Sequence, residues 1–313
     1  MKPQTWTRRH IGLVAAALFF TWSFHSAVQA ADAEAKQDAT AARVKVIPDV
    51  SYGPDARNVM DLYLPEGGPT PRPVVVCIHG GGWAGGDKRV YGWLADALAR
   101  RGYAAASVTY RFAPGSRAPS QMDDVQRAVR WLRKNAEQHG IDPERFGAIG
   151  GSAGGHLASY LALADTRDNG DAELAPYSSR VQCAVDCYGP VDLEAMMKSA
   201  SAPIVQGFLG KPLEGNERDY RNFSPHFLVK DNPPPFLIIH GTRDVGTARG
   251  QVPMEQSVAF HEKLRRADGD ATLLKLDGAG HGFTGNGNNR HAKEAFAAAV
   301  TFFDKHLMKK GQE

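Results

Sequence analysis

Cysteine is scarce in this chain, with three in 313 residues, so a dense disulfide framework is excluded and the odd count leaves at least one thiol unpaired. Cys183 and Cys187 share the apolar run "VQCAVDCYG"; in an extended strand their Cα atoms stand about 13 Å apart, beyond the reach of a bridge. Cys77 belongs to a second such run, "VVVCIHG". All three are expected as buried free thiols acting as small hydrophobes. Metal-ligand patterns are missing too: the eleven histidines are scattered, with no H-E-x-x-H and no paired-cysteine spacing, so no metal site is expected. A large excess of one charge is absent. Lys2, Arg8 and Arg9 account for the formal net charge of +3, and the near-neutral remainder has no footprint for nucleic acid or an anionic membrane.

A long apolar run is also lacking. "IGLVAAALFFTW" is too short to span a bilayer comfortably. Preceded by "MKPQTWTRRH" and followed by the small-residue site "AVQA", it reads as a signal peptide over residues 1–30, cleaved after Ala30 or alternatively after Ala33. Arg8 and Arg9 suit either a general secretory or a twin-arginine route. The protein is therefore expected to be exported, periplasmic or secreted, with no stable membrane anchor after cleavage. Residues 31–43, rich in Ala and charge, read as a mobile linker, and residues 44–313 as one catalytic domain without internal repeats.

Within that domain, "RVKVIPDVSYG" and "NVMDLYLP" alternate apolar and polar residues, the pattern of an antiparallel opening pair. The pattern then changes. "PVVVCIH", "YAAASVTY", "RFGAIGG", "VQCAVDCYG", "PFLIIHG" and "ATLLKL" are continuous apolar runs, typical of strands buried on both faces. Helical periods separate them at 90–101, 120–138, 153–164, 254–266 and 291–307. This alternation predicts an α/β fold with a mostly parallel central sheet flanked by helices on both faces. Residues 165–180 read as loop, and the Pro- and Gly-interrupted stretch 190–235 as a small cap or substrate-facing insertion.

Chemistry concentrates at a few strand ends. G-x-S-x-G occurs as "GGSAG", residues 150–154, after the run "RFGAIG" and before "AGGHLASYLALA". That is the strand-turn-helix setting of a nucleophile elbow, which makes Ser152 the candidate nucleophile. "HGGGW", residues 79–83, directly follows another strand; its successive glycines let backbone N–H groups turn inward, where that of Ala153 would complete an oxyanion hole. A serine hydroxyl needs a base and an orienting acid. Asp244 in "LIIHGTRDVG" and His281 in "LKLDGAGHGF" both follow strands, on the sheet edge where α/β proteins bind ligands. Asp192 in "YGPVDLE" is the alternative acid. Asp277 lies too close to His281 in sequence and reads as a turn residue; His156 reads as packed on the elbow helix, and His79 and His240 as loop-fixing. Trp83 and Phe283 adjoin the oxyanion loop and the base, where each either lines a substrate pocket or packs the loop bases.

These motifs, with "YRFAP", "PPPFLIIHGTRD" and "GAGHGF", resemble the α/β-hydrolase superfamily, in its carboxylesterase branch with hormone-sensitive-lipase-like "HGGGW" and "GGSAGG" motifs, and within it exported bacterial acetyl xylan and feruloyl esterases. The resemblance implies a serine carboxylesterase that needs no cofactor and acts through Ser152, His281 and Asp244, with oxyanion donors from Gly81, Gly82 and Ala153, on small-molecule or polysaccharide esters. It leaves open an amide hydrolase of arylformamidase or peptidase type, and a non-catalytic binding protein on the same scaffold. Two departures stand out. Relatives place a Val-Pro pair soon after the acid, whereas "VGTARGQ" separates Asp244 from Val252 and Pro253 here; and with little or no N-terminal cap, a more open pocket is expected.

Overall fold

The computed structural model describes residues 43–308 apart from Asn169 and Asn286. The expected leader and nearly all of the expected linker lie outside the described residues. Eight strands form one sheet in the order β1-β2-β4-β3-β5-β6-β7-β8. They are β1 (Val44–Ser51), β2 (Val59–Pro65), β3 (Arg72–Ile78), β4 (Ala104–Val108), β5 (Ile141–Gly151), β6 (Cys183–Cys187), β7 (Phe236–Gly241) and β8 (Ala271–Leu276). β2 pairs antiparallel with β1 and β4, and every later pairing is parallel.

Burial follows from the runs. Every residue of β3, β4, β6 and β7 is buried, because side chains of period two must be covered on both faces. On one face Val74, Val76 and Ile78 join Ala184 and Ile238 beneath α2 (Ser120–Lys134), α3 (Ala153–Leu163) and α8 (Met254–Arg266). On the other, Val75 and Cys77 join Cys183, Val185 and Cys187 beneath α1 (Gly92–Ala99) and α9 (Arg290–Leu307). All three cysteines therefore share one core face as free, buried thiols, and burial pushes their ionisation upward. Among the described residues no helix is long and apolar enough to cross a membrane.

Two element boundaries differ from the sequence expectation. The period over 120–138 breaks at Lys134, where the Asn135 side chain donates to Trp131 O at 2.8 Å and a short 3₁₀ turn, Glu137–His139, follows. The stretch 190–235 holds four short helices, α4 (Leu193–Met196), α5 (Ala202–Leu209), α6 (Glu217–Asn222) and α7 (Pro225–Leu228). None exceeds eight residues, too little chain for a helical repeat to show.

A carboxyl group is buried against the central sheet. Asp186 on β6 is fully buried, accepting from Gly189 N at 2.8 Å and from Ser159 Oγ at 3.1 Å. Burial outweighs those bonds and raises its carboxyl to about 6. A folded-state value above the unfolded one means that the folded protein holds the proton more tightly. Its stability contribution is complete below the ordinary aspartate range and is lost as pH rises through about 6. Asp186→Asn keeps the acceptor for Gly189 N without the charge. Thermal melts should show the variant more stable than the parent by about 1–3 kcal/mol at pH 8, with the gap shrinking toward pH 4; an unchanged gap across that range refutes the buried-charge account.

Candidate active site

Parallel neighbours deliver their carboxyl ends to one edge, and three residues far apart in sequence meet there. Ser152 follows β5, Asp244 lies three residues beyond the end of β7, and His281 five beyond the end of β8. His281 Nε2 is 2.9 Å from Ser152 Oγ, and His281 Nδ1 is 2.6 Å from Asp244 Oδ2. A carboxylate only accepts, so Nδ1 carries the proton and Nε2 is left to accept from the serine hydroxyl. Asp244 is fully buried, whereas the His281 side chain is 18% exposed.

The elbow owes its shape to close approach. Ser152 adopts φ +57°, a left-handed conformation costly for a residue with a side chain, and its N–H donates to Cys187 O at 2.9 Å. A Cβ on Gly154 would lie 2.0 Å from Ile78 O; only glycine lets α3 start against the end of β3. The loop of residues 79–83, expected to supply oxyanion donors, folds back as tightly, since a Cβ on Gly81, at φ +113°, would lie 2.2 Å from Gly85 O. Gly81, Gly82 and Ala153 all line the cavity that Ser152 faces. None of their N–H groups donates to a backbone carbonyl among the described residues, which leaves three donors for an oxygen of a bound group.

Neutral imidazoles brace this arrangement. His79 Nδ1 donates to Gly80 O at 2.7 Å and its ring stacks on Tyr110; burial lowers its titration to about 4. His156, buried and likewise lowered to about 4, donates from Nε2 to Phe223 O at 2.7 Å and accepts at Nδ1 from Trp83 Nε1 at 3.2 Å. It thereby ties the oxyanion loop to the insertion. His240 goes beyond loop fixing. Its Nε2 reaches Val252 O at 3.0 Å and Asp244 Oδ2 at 3.2 Å; both are acceptors, so Nε2 carries the proton and Nδ1 faces Ser257 Oγ at 2.6 Å. Burial alone would raise Asp244, but hydrogen bonds from His240 and His281 outweigh it and hold the carboxyl below its ordinary range.

The other expected positions separate clearly. Asp192 caps α4 by accepting from Ala195 N at 2.9 Å, and its backbone is clamped by Gln256; it is spent there rather than on His281. Asp277 accepts from Thr242 Oγ1. Trp83 lines the cavity and stacks on Phe208 with ring centroids 4.2 Å apart. Phe283 does not join it. Its ring packs edge-on against Tyr188 in the core face beneath, and Gly282, Thr284 and Gly285 form the wall instead. Composition also concealed a hydroxyl cluster on the wall, in which Thr284 Oγ1 meets both Tyr91 and Tyr188. The cavity holds about 540 Å³. Met196, Ser201, Ile204 and Val205 of the insertion wall it, and so does the segment after Asp244. That segment loops out and returns, with Val252 N donating to Asp244 Oδ1 at 3.0 Å.

Sheet order, elbow and flanking helices define an α/β-hydrolase fold. The chain belongs to the BD-FAE family, which it matches over residues 60–264. Esterase LipC of Mycobacterium tuberculosis is 33% identical over 265 residues, 82% of this chain, and the chain spans 64% of that relative's length. A truncated carbohydrate esterase from gut microbiota superposes with a TM-score of 0.74 at 25% identity, covering 86% of this chain and 98% of that one. Esterase Est2 of Thermogutta terrifontis, solved with propionate bound, gives 0.69 at 27% identity, covering 87% and 97%; the same esterase has been solved phosphorylated by paraoxon.

The close approach at Gly154 is testable by stability. Gly154→Ala should cost at least about 3 kcal/mol in denaturant unfolding, because backbone on β3 must move. Gly207→Ala, whose added Cβ meets nothing within 4 Å on α5, should instead gain about 0.5–1 kcal/mol. Equal effects from the two would contradict the packing described.

Proposed function

We propose that the protein is a serine carboxylesterase that hydrolyses short-chain acyl esters, or polysaccharide-linked esters of acetyl or feruloyl type, through an acyl-enzyme. The observation that carries this reading is the hydrogen-bonded Ser152–His281–Asp244 chain, whose Ser152 and His281 line the same cavity as Gly81, Gly82 and Ala153, three residues whose N–H groups donate to no backbone carbonyl among the described residues. Ser152 Oγ attacks the ester carbonyl as His281 Nε2 takes its proton, and Asp244 holds the Nδ1–H tautomer and offsets the imidazolium charge. Charge that builds on the carbonyl oxygen falls to the N–H groups of Gly81, Gly82 and Ala153. His281 then protonates the departing alkoxide, the acyl group rests on Ser152, and a water activated by His281 releases it as the acid. A cavity of about 540 Å³ walled by Met196, Ile204 and Val205 suits a small acyl group. Propionate bound by the Thermogutta esterase is in keeping with that size.

With the mature protein, Ser152→Ala should lower kcat/KM for p-nitrophenyl acetate by at least about 10³-fold while the melting curve is retained. Paraoxon should add one diethylphosphoryl group to the parent, releasing p-nitrophenolate, and none to the variant. Undiminished hydrolysis, or labelling that survives the substitution, overturns the assignment. Acetylated xylan, methyl ferulate and short alkyl esters tested side by side then rank the substrate types.

A further inference from the structure

The segment that separates Asp244 from Val252 supplies one feature that ester hydrolysis does not call for. Arg249, at its turn, lines the cavity and is exposed. It is the only permanently charged side chain among the lining residues. Among the described residues no hydrogen bond, ion pair or ring contact engages its guanidinium, whereas Arg111, Arg127, Arg145, Arg167 and Arg221 are each paired with a carboxylate. The backbone that presents it is fixed. Gln251 Oε1 accepts from Thr247 N and Ala248 N, both at 3.1 Å. Gly250 N donates to Ser201 Oγ at 3.0 Å, and Ser201 Oγ donates to Gln251 O at 2.7 Å. A braced turn that holds an unpaired arginine beside an otherwise uncharged cavity is arranged to receive an anion.

We propose that Arg249 selects esters that carry a carboxylate away from the scissile bond, held by the guanidinium while Ser152 attacks the ester carbonyl. The inference rests on the ester-hydrolase reading above and narrows its substrate class. The carboxylate can sit on the acyl or on the alcohol portion, and two substrate pairs tell these apart. Monoethyl succinate against ethyl butyrate places it on the acyl side. 4-Acetoxybenzoate against 4-acetoxybenzamide places it on the leaving group.

For at least one pair, the ratio of kcat/KM for the anionic ester over the neutral one should fall about 10-fold in Arg249→Gln, less in Arg249→Lys, and should fall in the parent as salt rises, since exposed charges are screened over about 10 Å at 0.1 M. The pair that responds identifies the side. Ratios unchanged in Arg249→Gln for both pairs, while neutral esters are still hydrolysed, overturn the inference and leave the esterase reading standing. A readout without turnover separates the two. Calorimetric titration of monoethyl succinate and 4-acetoxybenzoate into Ser152→Ala protein should show binding that Ser152→Ala/Arg249→Gln protein loses. Equal binding by both proteins rejects the contact whatever the catalytic result.

Discussion

The arrangement depends on one buried charge, the carboxylate of Asp244. A lone ionised aspartate with no exposure to water would be strongly disfavoured. Three donors keep it ionised, namely His281 Nδ1, His240 Nε2 and Val252 N. Each donor belongs to a different piece of chain. His281 sits on the loop after β8, His240 within β7, and Val252 at the return of the segment that leads into α8. Satisfying one carboxylate therefore positions the proposed base, closes the loop that walls the cavity, and sets where α8 begins.

Two buried histidines near the site, His79 and His156, follow a complementary rule: they are kept neutral and used as struts. His79 and His156 titrate near 4 because burial disfavours their charged forms, so each offers one donor and one acceptor in a fixed direction. His156 uses both, joining Trp83 to Phe223 across the elbow helix. The loop of residues 79–83 and the insertion are thus held to the same helix, whose first residue, Ala153, lines the cavity. A protonated His156 would lose the acceptor that Trp83 requires. Neutrality here is a structural requirement, whereas ionisation of Asp244 is an electrostatic one.

Much of this was legible in the sequence, for identifiable reasons. Strands buried on both faces have to be continuous apolar runs, and glycines that touch backbone have no substitute, so β3 to β7 and the elbow announce themselves; the run "ATLLKL" reads the same way, yet β8 is the edge strand of the sheet and its Thr272 and Lys275 are exposed. Asp244 and His281 were reachable because parallel strands send their ends to one edge. Other features depend on contacts that no local pattern encodes. Helices α4 to α7 are too short to show a period. Asp192 matches the description of an acid after a strand, and only its cap on Ala195 N and the Gln256 clamp show why it is occupied elsewhere. Phe283 adjoins His281 in sequence, yet its ring packs against Tyr188 and leaves glycine and threonine on the wall. His240 looked like any histidine closing a strand; its bond to Asp244 exists because the residues lie four apart across the end of β7.

The segment after Asp244 lengthens the path to the Val-Pro pair, which would disturb the Asp244 carboxylate if the neck of the loop were open. The hydrogen bonds argue the reverse. Because Val252 N returns to Asp244 Oδ1 while Gln251 and Ser201 brace the turn between, extra residues bulge outward from a closed base without altering it. Chain length at this position can vary without changing the acid, and the bulge can carry a side chain to the cavity edge. The acid is fixed by short bonds at the neck of the loop, and the specificity proposed for Arg249 resides at its tip. A loop anchored in this way lets the side chain at the tip change while the hydrogen bonds of Asp244 at its neck stay constant.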